Sequence, residues 1–268
     1  MNKKKIKFSI IIVSLNTKDD FSKTLNSVKK QDYKLFEVIV VDGQSTDGTI
    51  KIIKKNKKYI NKVIIEKDKG IYYAMNKGLV KIKNKWIIFL NSGDRFYNSK
   101  VLSKISKIIN KKKMDILVGK NVVDGNFKFL SKYEKFYSNT YMSIFSHQSV
   151  FVKSDIFKIK KFNTKYSIAS DFDFFKYLYY KKKIFNYVPY IISVSKPGGI
   201  SDKNRLKTIN EFYSISKKYY HGNLLFLRMV FLIYYFKFIL KEIIKLFLPH
   251  KFKVLLLKLK YRKDLLDD

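Results

Sequence analysis

Cysteine is absent from the 268-residue chain. That excludes a disulfide framework, thiol chemistry and cysteine-ligated zinc, and it suits a reducing compartment. Acidic residues are scarce, 21 against 57 Lys and Arg, which gives a formal charge of +36. Such a balance attracts polyanions: nucleic acid, anionic lipid headgroups or phosphorylated substrates. Proline and arginine are also few, while Lys, Ile, Asn, Phe and Tyr are all abundant. This joint bias is that of an A/T-rich coding sequence, which spreads lysine over any solvated face, so part of the charge is compositional. No uncharged apolar run reaches the roughly eighteen residues of a membrane-crossing helix. The opening MNKKKIKFSIIIVSLN has a basic lead and a short apolar run without a small-residue cleavage site, so it reads as a buried strand rather than a signal peptide. Neither a phosphate-binding P-loop nor a GxGxxG dinucleotide fingerprint occurs.

What is present is enough apolar material, 46% of residues, for a sizeable core, in a chain long enough for one catalytic domain with an appendage. The first hundred residues alternate strand and helix patterns. Near-continuous Ile/Val-rich runs at residues 7–15, 36–41, 63–65 and 86–90 read as strands, the longer ones buried on both faces. Helical patterns lie between them, through Thr24, Leu25 and Val28, then at 49–56 and 71–82. This spacing predicts βαβ units and a mostly parallel sheet. Further on, residues 114–119 and 149–152 read as strands, Asp124-Gly125 as a hairpin turn, and 169–181 and 206–219 as helices. Pro197-Gly198-Gly199 marks a mobile loop.

In parallel α/β sheets ligands bind beyond the carboxyl ends of the strands. The polar residues there are Asn16, Asp42, Asp68 and the stretch Asn91 to Asp94, and three of these four places carry a carboxylate. The segment EVIVVDGQSTDGT (37–49) is the most specific. A buried strand delivers Asp42 to the sheet edge, Gly43 and Gly48 permit a tight turn, and Ser45, Thr46 and Asp47 can cap the next helix. An acid so placed either accepts hydrogen bonds from a base or ribose hydroxyl or serves only the turn.

SIIIVSLN followed by EVIVVDGQSTDGT resembles the nucleotide-binding half of glycosyltransferase family 2, inverting enzymes of the GT-A (Rossmann-like) α/β fold. EKDKGIYYAMNKG (66–78), WIIFLNSGD (86–94), HQSVF and SIASDFDFF follow in the family's order, the last two matching a subgroup found in bacterial polysaccharide clusters. The resemblance covers residues 8–201. It implies a catalytic domain over 1–221, with a nucleotide half to about 100 and an acceptor half beyond. Carried onto this chain, it implies that Asn16 and Asp42 line the nucleoside pocket with Asn91 beside them. Asp68, Lys69 and Gly70 would close over base and ribose, and Asn76 would face the same site. Asp94 is implied to hold a divalent metal, Mg²⁺ or Mn²⁺, on the donor diphosphate, and Asp171 to be the catalytic base. Where many members have Asp-x-Asp-Asp, this chain has Asn91-Ser92-Gly93-Asp94, which leaves one carboxylate and implies weak metal affinity. His147 and Asp173 are expected as acceptor or diphosphate contacts, with a structural role as the alternative for each.

From Leu224 the pattern changes to strongly apolar residues interrupted by Arg228, Lys237, Lys241, Glu242 and Lys245. The three lysines, four apart, form one ridge on a helix. A further apolar and basic interleaving follows Pro249. Residues 222–268 thus read as a basic amphipathic helical tail, suited to an anionic membrane surface or to packing on the catalytic domain. The expected function is transfer of a sugar from a nucleotide donor to an oligosaccharide or lipid-linked acceptor in O-antigen or capsule synthesis. The expected place is the cytoplasm, peripheral on the inner face of the membrane. A nucleic-acid-binding protein is the rival prompted by charge. It lacks any zinc-finger, basic-zipper or RNP-type motif, and acids at the strand ends would repel phosphate, so no nucleic acid partner is expected. A non-catalytic glycosyltransferase-like scaffold is the other alternative, against which the presence of Asp42, Asp94 and Asp171 speaks.

Overall fold

The structure is a computed structural model that describes residues 5–125, 127–247 and 252. Its first half follows the alternation of the sequence: β1 (Phe8–Ser14), α1 (Lys18–Lys29), β2 (Phe36–Asp42), α2 (Thr49–Lys55), β3 (Lys62–Ile65), α3 (Ile71–Leu79) and β4 (Trp86–Asn91). Then come β5 (Arg95–Phe96), α4 (Val101–Ile109), β6 (Ile116–Asp124), β7 (Lys128–Leu130), β8 (Val150–Lys153), α5 (Ser154–Ile159) and α6 (Ser170–Tyr180). The chain finishes with β9 (Phe185–Ser195), α7 (Ile200–Lys203), α8 (Arg205–Tyr219) and α9 (Leu224–Phe247).

One sheet runs in the order β3-β2-β1-β4-β8-β6-β9-β5, with β7 paired to β6. The first four strands are parallel throughout, and the rest are mixed, β8 running antiparallel to both β4 and β6. Side chains alternate across the pleat. Ile11, Val13, Ile39, Val41, Ile87 and Phe89 enter the core beneath α3, α6 and α8. Ile10, Ile12, Val38, Val40, Ile88 and Leu90 enter the core beneath α1 and α4. Two buried faces explain why these strands read as unbroken apolar runs; each such side chain contributes about 1.5–3 kcal/mol when fully buried.

The join between the halves shapes the site. β4 pairs with β8 through Trp86↔Lys153 and Ile87↔Val152 only. Its carboxyl end faces the short 3-10 turn His147–Ser149 instead. β5 then crosses to pair with β9, so the sheet opens at Asn91–Asp94.

Several elements depart from the sequence reading. α3 stops at Leu79 rather than continuing to 82, because the N–H groups of Val80 and Lys81 turn back to Lys77 and Gly78 carbonyls. The sequence reading assigns no element to α4, α5, β5 or β9, although the apolar residues of α4 (Val101, Leu102, Ile105 and Ile109) are spaced along one helical face. The Pro197-Gly198-Gly199 segment leads directly into α7. The tail does not stand apart at its start: Leu227 and Phe231 of α9 are buried in the main core, with Phe231 edge-on to Tyr141 and Tyr213. The distal half differs, with Phe236 67% and Phe247 81% exposed. Among the described residues no helix is long and apolar enough to cross a membrane. The helix stop expected at Pro249 and the interleaving after it lie outside the described residues.

Candidate active site

The β1–β2 edge is held by short local bonds. Asp42 is wholly buried. Its Oδ2 accepts from the Ser14 and Ser45 hydroxyls, each at 2.7 Å, and its Oδ1 from Ser45 N at 2.7 Å. Asn16, in the left-handed region at φ 51°, donates its N–H to Ser45 Oγ and accepts from Thr46 N, both at 2.8 Å. Asp47 accepts from Thr49 Oγ1 at 2.6 Å, from Thr49 N and from Lys18 N. The Thr49 hydroxyl bond, helped by the two N–H groups, holds its carboxyl below the ordinary range. The 42–49 turn is therefore a self-bonded loop, and Asp42 is its internal brace, closed to solvent.

Opposite this turn, Asp68 lies over Gly43: a Cβ on Gly43 would come within 3.7 Å of Asp68 Oδ2. Lys77 pairs with Asp68 and Glu66, at 2.9 Å each, yet neither Asp68 oxygen has a well-aligned hydrogen bond. Lys69 and Gly70 are exposed at the start of α3. Gly70, at φ 145° and ψ 168°, occupies backbone space that is essentially glycine-only. Asn76 departs from the expectation. Its Nδ2 donates to Phe162 O at 2.9 Å and its Oδ1 accepts from Phe162 N at 3.1 Å. The amide is spent on bracing α3 to the segment between α5 and α6.

The second cluster forms where the sheet opens. Asn91, Asp94, His147 and Asp171 line one cavity of about 980 Å³, which also takes in Tyr72 and an aromatic wall including Phe127, Phe145 and Phe212. His147 Nδ1 lies 3.3 Å from Asp171 Oδ2, and its Nε2 lies 3.4 Å from Asn91 Nδ2. Asn91 Oδ1 is buried without a partner. Burial opposes a charge on His147, but the Asp171 hydrogen bond, the Asp171 charge and then Asp94 raise its pKa. Burial pushes Asp94 up to about 6, against the pull of His147 and a hydrogen bond from Asn91 N. Tyr72, which sequence reasoning passed over although it lies inside a quoted motif, points its hydroxyl at Asp171 Oδ1, 3.0 Å away, and at Ile168 O, 2.7 Å away.

Of the two readings of Asp173, acceptor contact and structural residue, its surroundings fit the structural one. Two residues from Asp171 on a helix, it faces the other way. It is wholly buried and held by Lys160 Nζ at 3.0 Å and by Lys218 Nζ and Tyr219 Oη at 3.2 Å. It fastens α8 to α6.

The metal expectation meets a partial ligand set. Asp94 is a desolvated carboxylate with too little positive charge around it, beside an imidazole and an unpartnered amide oxygen. A hard divalent cation would relieve that deficit. Among the described residues no three His, Asp or Glu side chains are placed to hold one metal ion by themselves, so the remaining ligands would come from the donor diphosphate and water.

The sequence profile of Glycosyl transferase family 2 matches residues 9–186, which include every residue of both clusters except Phe212. This chain belongs to glycosyl transferase family 2. A PGL/p-HBAD biosynthesis glycosyltransferase of Mycobacterium bovis is 29% identical over 173 residues, covering 62% of this chain and 67% of that protein. Among solved structures, S. aureus TarS residues 1–349 in complex with UDP-GlcNAc superposes with a TM-score of 0.61 at 21% identity, over 78% of this chain and 64% of that one. The mannosyltransferase PcManGT of Pyrobaculum calidifontis, in complex with GDP-Man and Mn²⁺, gives a TM-score of 0.63 at 14% identity, over 82% of this chain and 66% of that one. These likenesses establish the GT-A fold, and the chain spans about two thirds of the length of each of these relatives.

Proposed function

We propose that this family member transfers a sugar, with inversion, from a nucleoside-diphosphate donor to a hydroxyl of a lipid-linked or oligosaccharide acceptor in bacterial surface glycan synthesis. The observation that carries the reading is the meeting of Asp94, His147 and Asp171 around one cavity at the open edge of the sheet. The self-bonded 42–49 turn, with Asn16, Asp68, Lys69 and Gly70 around it, suits the nucleoside. Asp42 serves there as the brace of the turn rather than as a direct contact.

In the proposed reaction Asp171 takes the acceptor hydroxyl proton as that oxygen bonds to the anomeric carbon. The bond from that carbon to the diphosphate oxygen breaks, and the nucleoside diphosphate leaves with the electron pair. Tyr72 and His147 each engage one Asp171 oxygen and fix the carboxylate's direction. Asp94, with Asn91 and His147 near it, would hold the divalent ion, which supplies charge stabilisation for the leaving diphosphate when bound.

The distal half of α9 supports attachment to an anionic membrane face. Exposed Ile239, Leu240, Ile243 and Ile244 lie on the segment that carries the lysine ridge, which suits an interfacial helix. The test of the reaction is a panel of UDP-, GDP- and dTDP-sugars with purified protein, scored for nucleoside diphosphate release with and without Mn²⁺. The expected outcome is release from one donor class, raised by the ion. No release from any donor under either condition would end the reading.

A further inference from the structure

α6 begins without a cap of its own. Its N-cap residue is Ala169, which offers no side-chain acceptor, although the first N–H groups of a helix need one. Within the helix the Phe172 N–H is met by Asp171 Oδ1, and the backbone leading into it is held by another element. Glu211, in the middle of α8, accepts from Ser167 N at 2.9 Å and Ser167 Oγ at 3.0 Å on one oxygen. Its other oxygen accepts from Ile168 N at 3.0 Å and Ala169 N at 2.8 Å. Three successive backbone N–H groups converging on an anion form a nest, and here the anion is a side chain of the same chain. All four lone-pair sites of the carboxylate are used. Glu211 is buried and does not line the cavity, so it is closed to a ligand.

What the nest holds in place is the approach to Asp171. Ser167 and Ile168 line the cavity, and Ile168 O receives the Tyr72 hydroxyl that also faces Asp171. Asp171 sits in the first turn of α6, two residues beyond the nest. We propose that Glu211 is a positioning residue for the reaction: its carboxylate sets the curvature of residues 167–169, and through them the place of Asp171 and Tyr72 against the cavity. This rests on the reading of Asp171 as the base. Glu211→Gln keeps the shape but turns one acceptor oxygen into an N–H₂ donor facing N–H groups, which forces that segment to shift. A base displaced by about 1 Å loses on the order of 100-fold in rate, while donor binding at the β1–β2 edge is untouched.

The experiment measures nucleoside diphosphate release from the donor that the wild-type protein turns over, with water as acceptor. It compares wild type, Glu211→Gln, Ile215→Val and Asp171→Asn. Ile215 lies on the same helix, is wholly buried and does not line the cavity, so its variant reports a loosened α8. The expected result for Glu211→Gln is a kcat about 10- to 100-fold lower at an unchanged donor KM, with Ile215→Val retaining kcat at a comparable loss of Tm. The inference is overturned by a Glu211→Gln kcat no lower than that of Ile215→Val, or by a loss that appears in KM instead. Should Glu211→Gln fail to fold, Glu211→Asp, which keeps the charge and shortens the reach, is read by the same split. An active Asp171→Asn would remove the base reading itself. An inactive Asp171→Asn beside a fully active Glu211→Gln would remove only the role of Glu211.

Discussion

Buried charge is treated differently at the two edges of this sheet. Along β1 and β2 every buried carboxylate is surrounded by donors. Asp42 has three, and Glu37 accepts from Ser9 Oγ, Lys83 N and Asn84 Nδ2. Where the carboxyl end of β4 meets the His147–Ser149 turn, compensation is incomplete. Asp94 is pushed up to about 6 by burial, Asn91 keeps an unpartnered oxygen, and His147 is drawn upward by two carboxylates. A saturated carboxylate is a structural brace, whereas a desolvated group short of counter-charge is poised to bind an ion or move a proton. On the proposed function, the contrast separates the scaffold that shapes the nucleoside edge from the seam where bonds would be exchanged.

Paired substitutions would break or sharpen that contrast. Asp171→Asn is expected to lower kcat by about 10²–10⁴-fold with little change in Tm or in donor affinity measured calorimetrically. Asp42→Ala is expected to do the reverse. Removing the brace leaves three donors without an acceptor and costs about 1–3 kcal/mol of stability for each that stays unsatisfied, with donor binding weakened through the loosened turn. Urea unfolding and donor titration on both variants decide the matter. Comparable stability losses in the two would erase the distinction.

The same contrast governs how much the sequence disclosed. The parallel first half of the sheet was legible because its structure is local: apolar runs, one glycine-marked turn and a cap lie within thirteen residues of chain at 37–49. The order β4-β8-β6-β9 was not legible, since it rests on pairings across long separations with few periodic cues. Asp171 and Asp94 could be named from their motifs, but their junction at His147 depends on the opening of β4 away from β8. Asp173 and Asn76 misled for the same reason. Each is a polar residue inside a motif whose partner, Lys218 or Phe162, is distant in sequence. Glu211 carried no signal at all, because a lone glutamate on an amphipathic helix looks like any solvated residue until the nest it fills is seen.

A smaller effect concerns the tail. Cutting after Phe238 removes the exposed distal half of α9 and keeps Leu227 and Phe231 in the core. The truncated protein is expected to stay folded, with Tm within a few degrees of the full chain, and to lose its affinity for vesicles containing anionic lipid. Cutting after Tyr220 should instead unfold part of the acceptor half. Undiminished vesicle binding by the shorter truncation would remove the membrane reading while leaving the catalytic comparison intact.

The smallest effect tests incomplete compensation away from the chemistry. Lys176 of α6 is 4% exposed and donates to Thr140 O. It lies over the Tyr141 and Phe172 rings at 5.8 and 5.6 Å, with no carboxylate beside it among the described residues. Burial pushes its ammonium down to about 8, whereas the unfolded chain restores a value near 10.4. Between about pH 8 and 10 the unfolded state therefore binds more protons, so this group's contribution to stability rises with pH across that window. Below about 8 both states are charged, and the folded one carries the full burial cost. Lys176→Met is thus expected to be more stable than wild type at pH 7 by about 1–2 kcal/mol, the lost Thr140 bond offsetting part of the gain. The advantage should shrink steadily toward pH 10. Urea unfolding of both proteins at pH 7 and 9.5 measures the difference directly, with the other lysines cancelling between them. A gap that is unchanged by pH would mean that Lys176 is compensated after all, and that the uneven treatment of charge is confined to the immediate surroundings of Asp94 and Asp171.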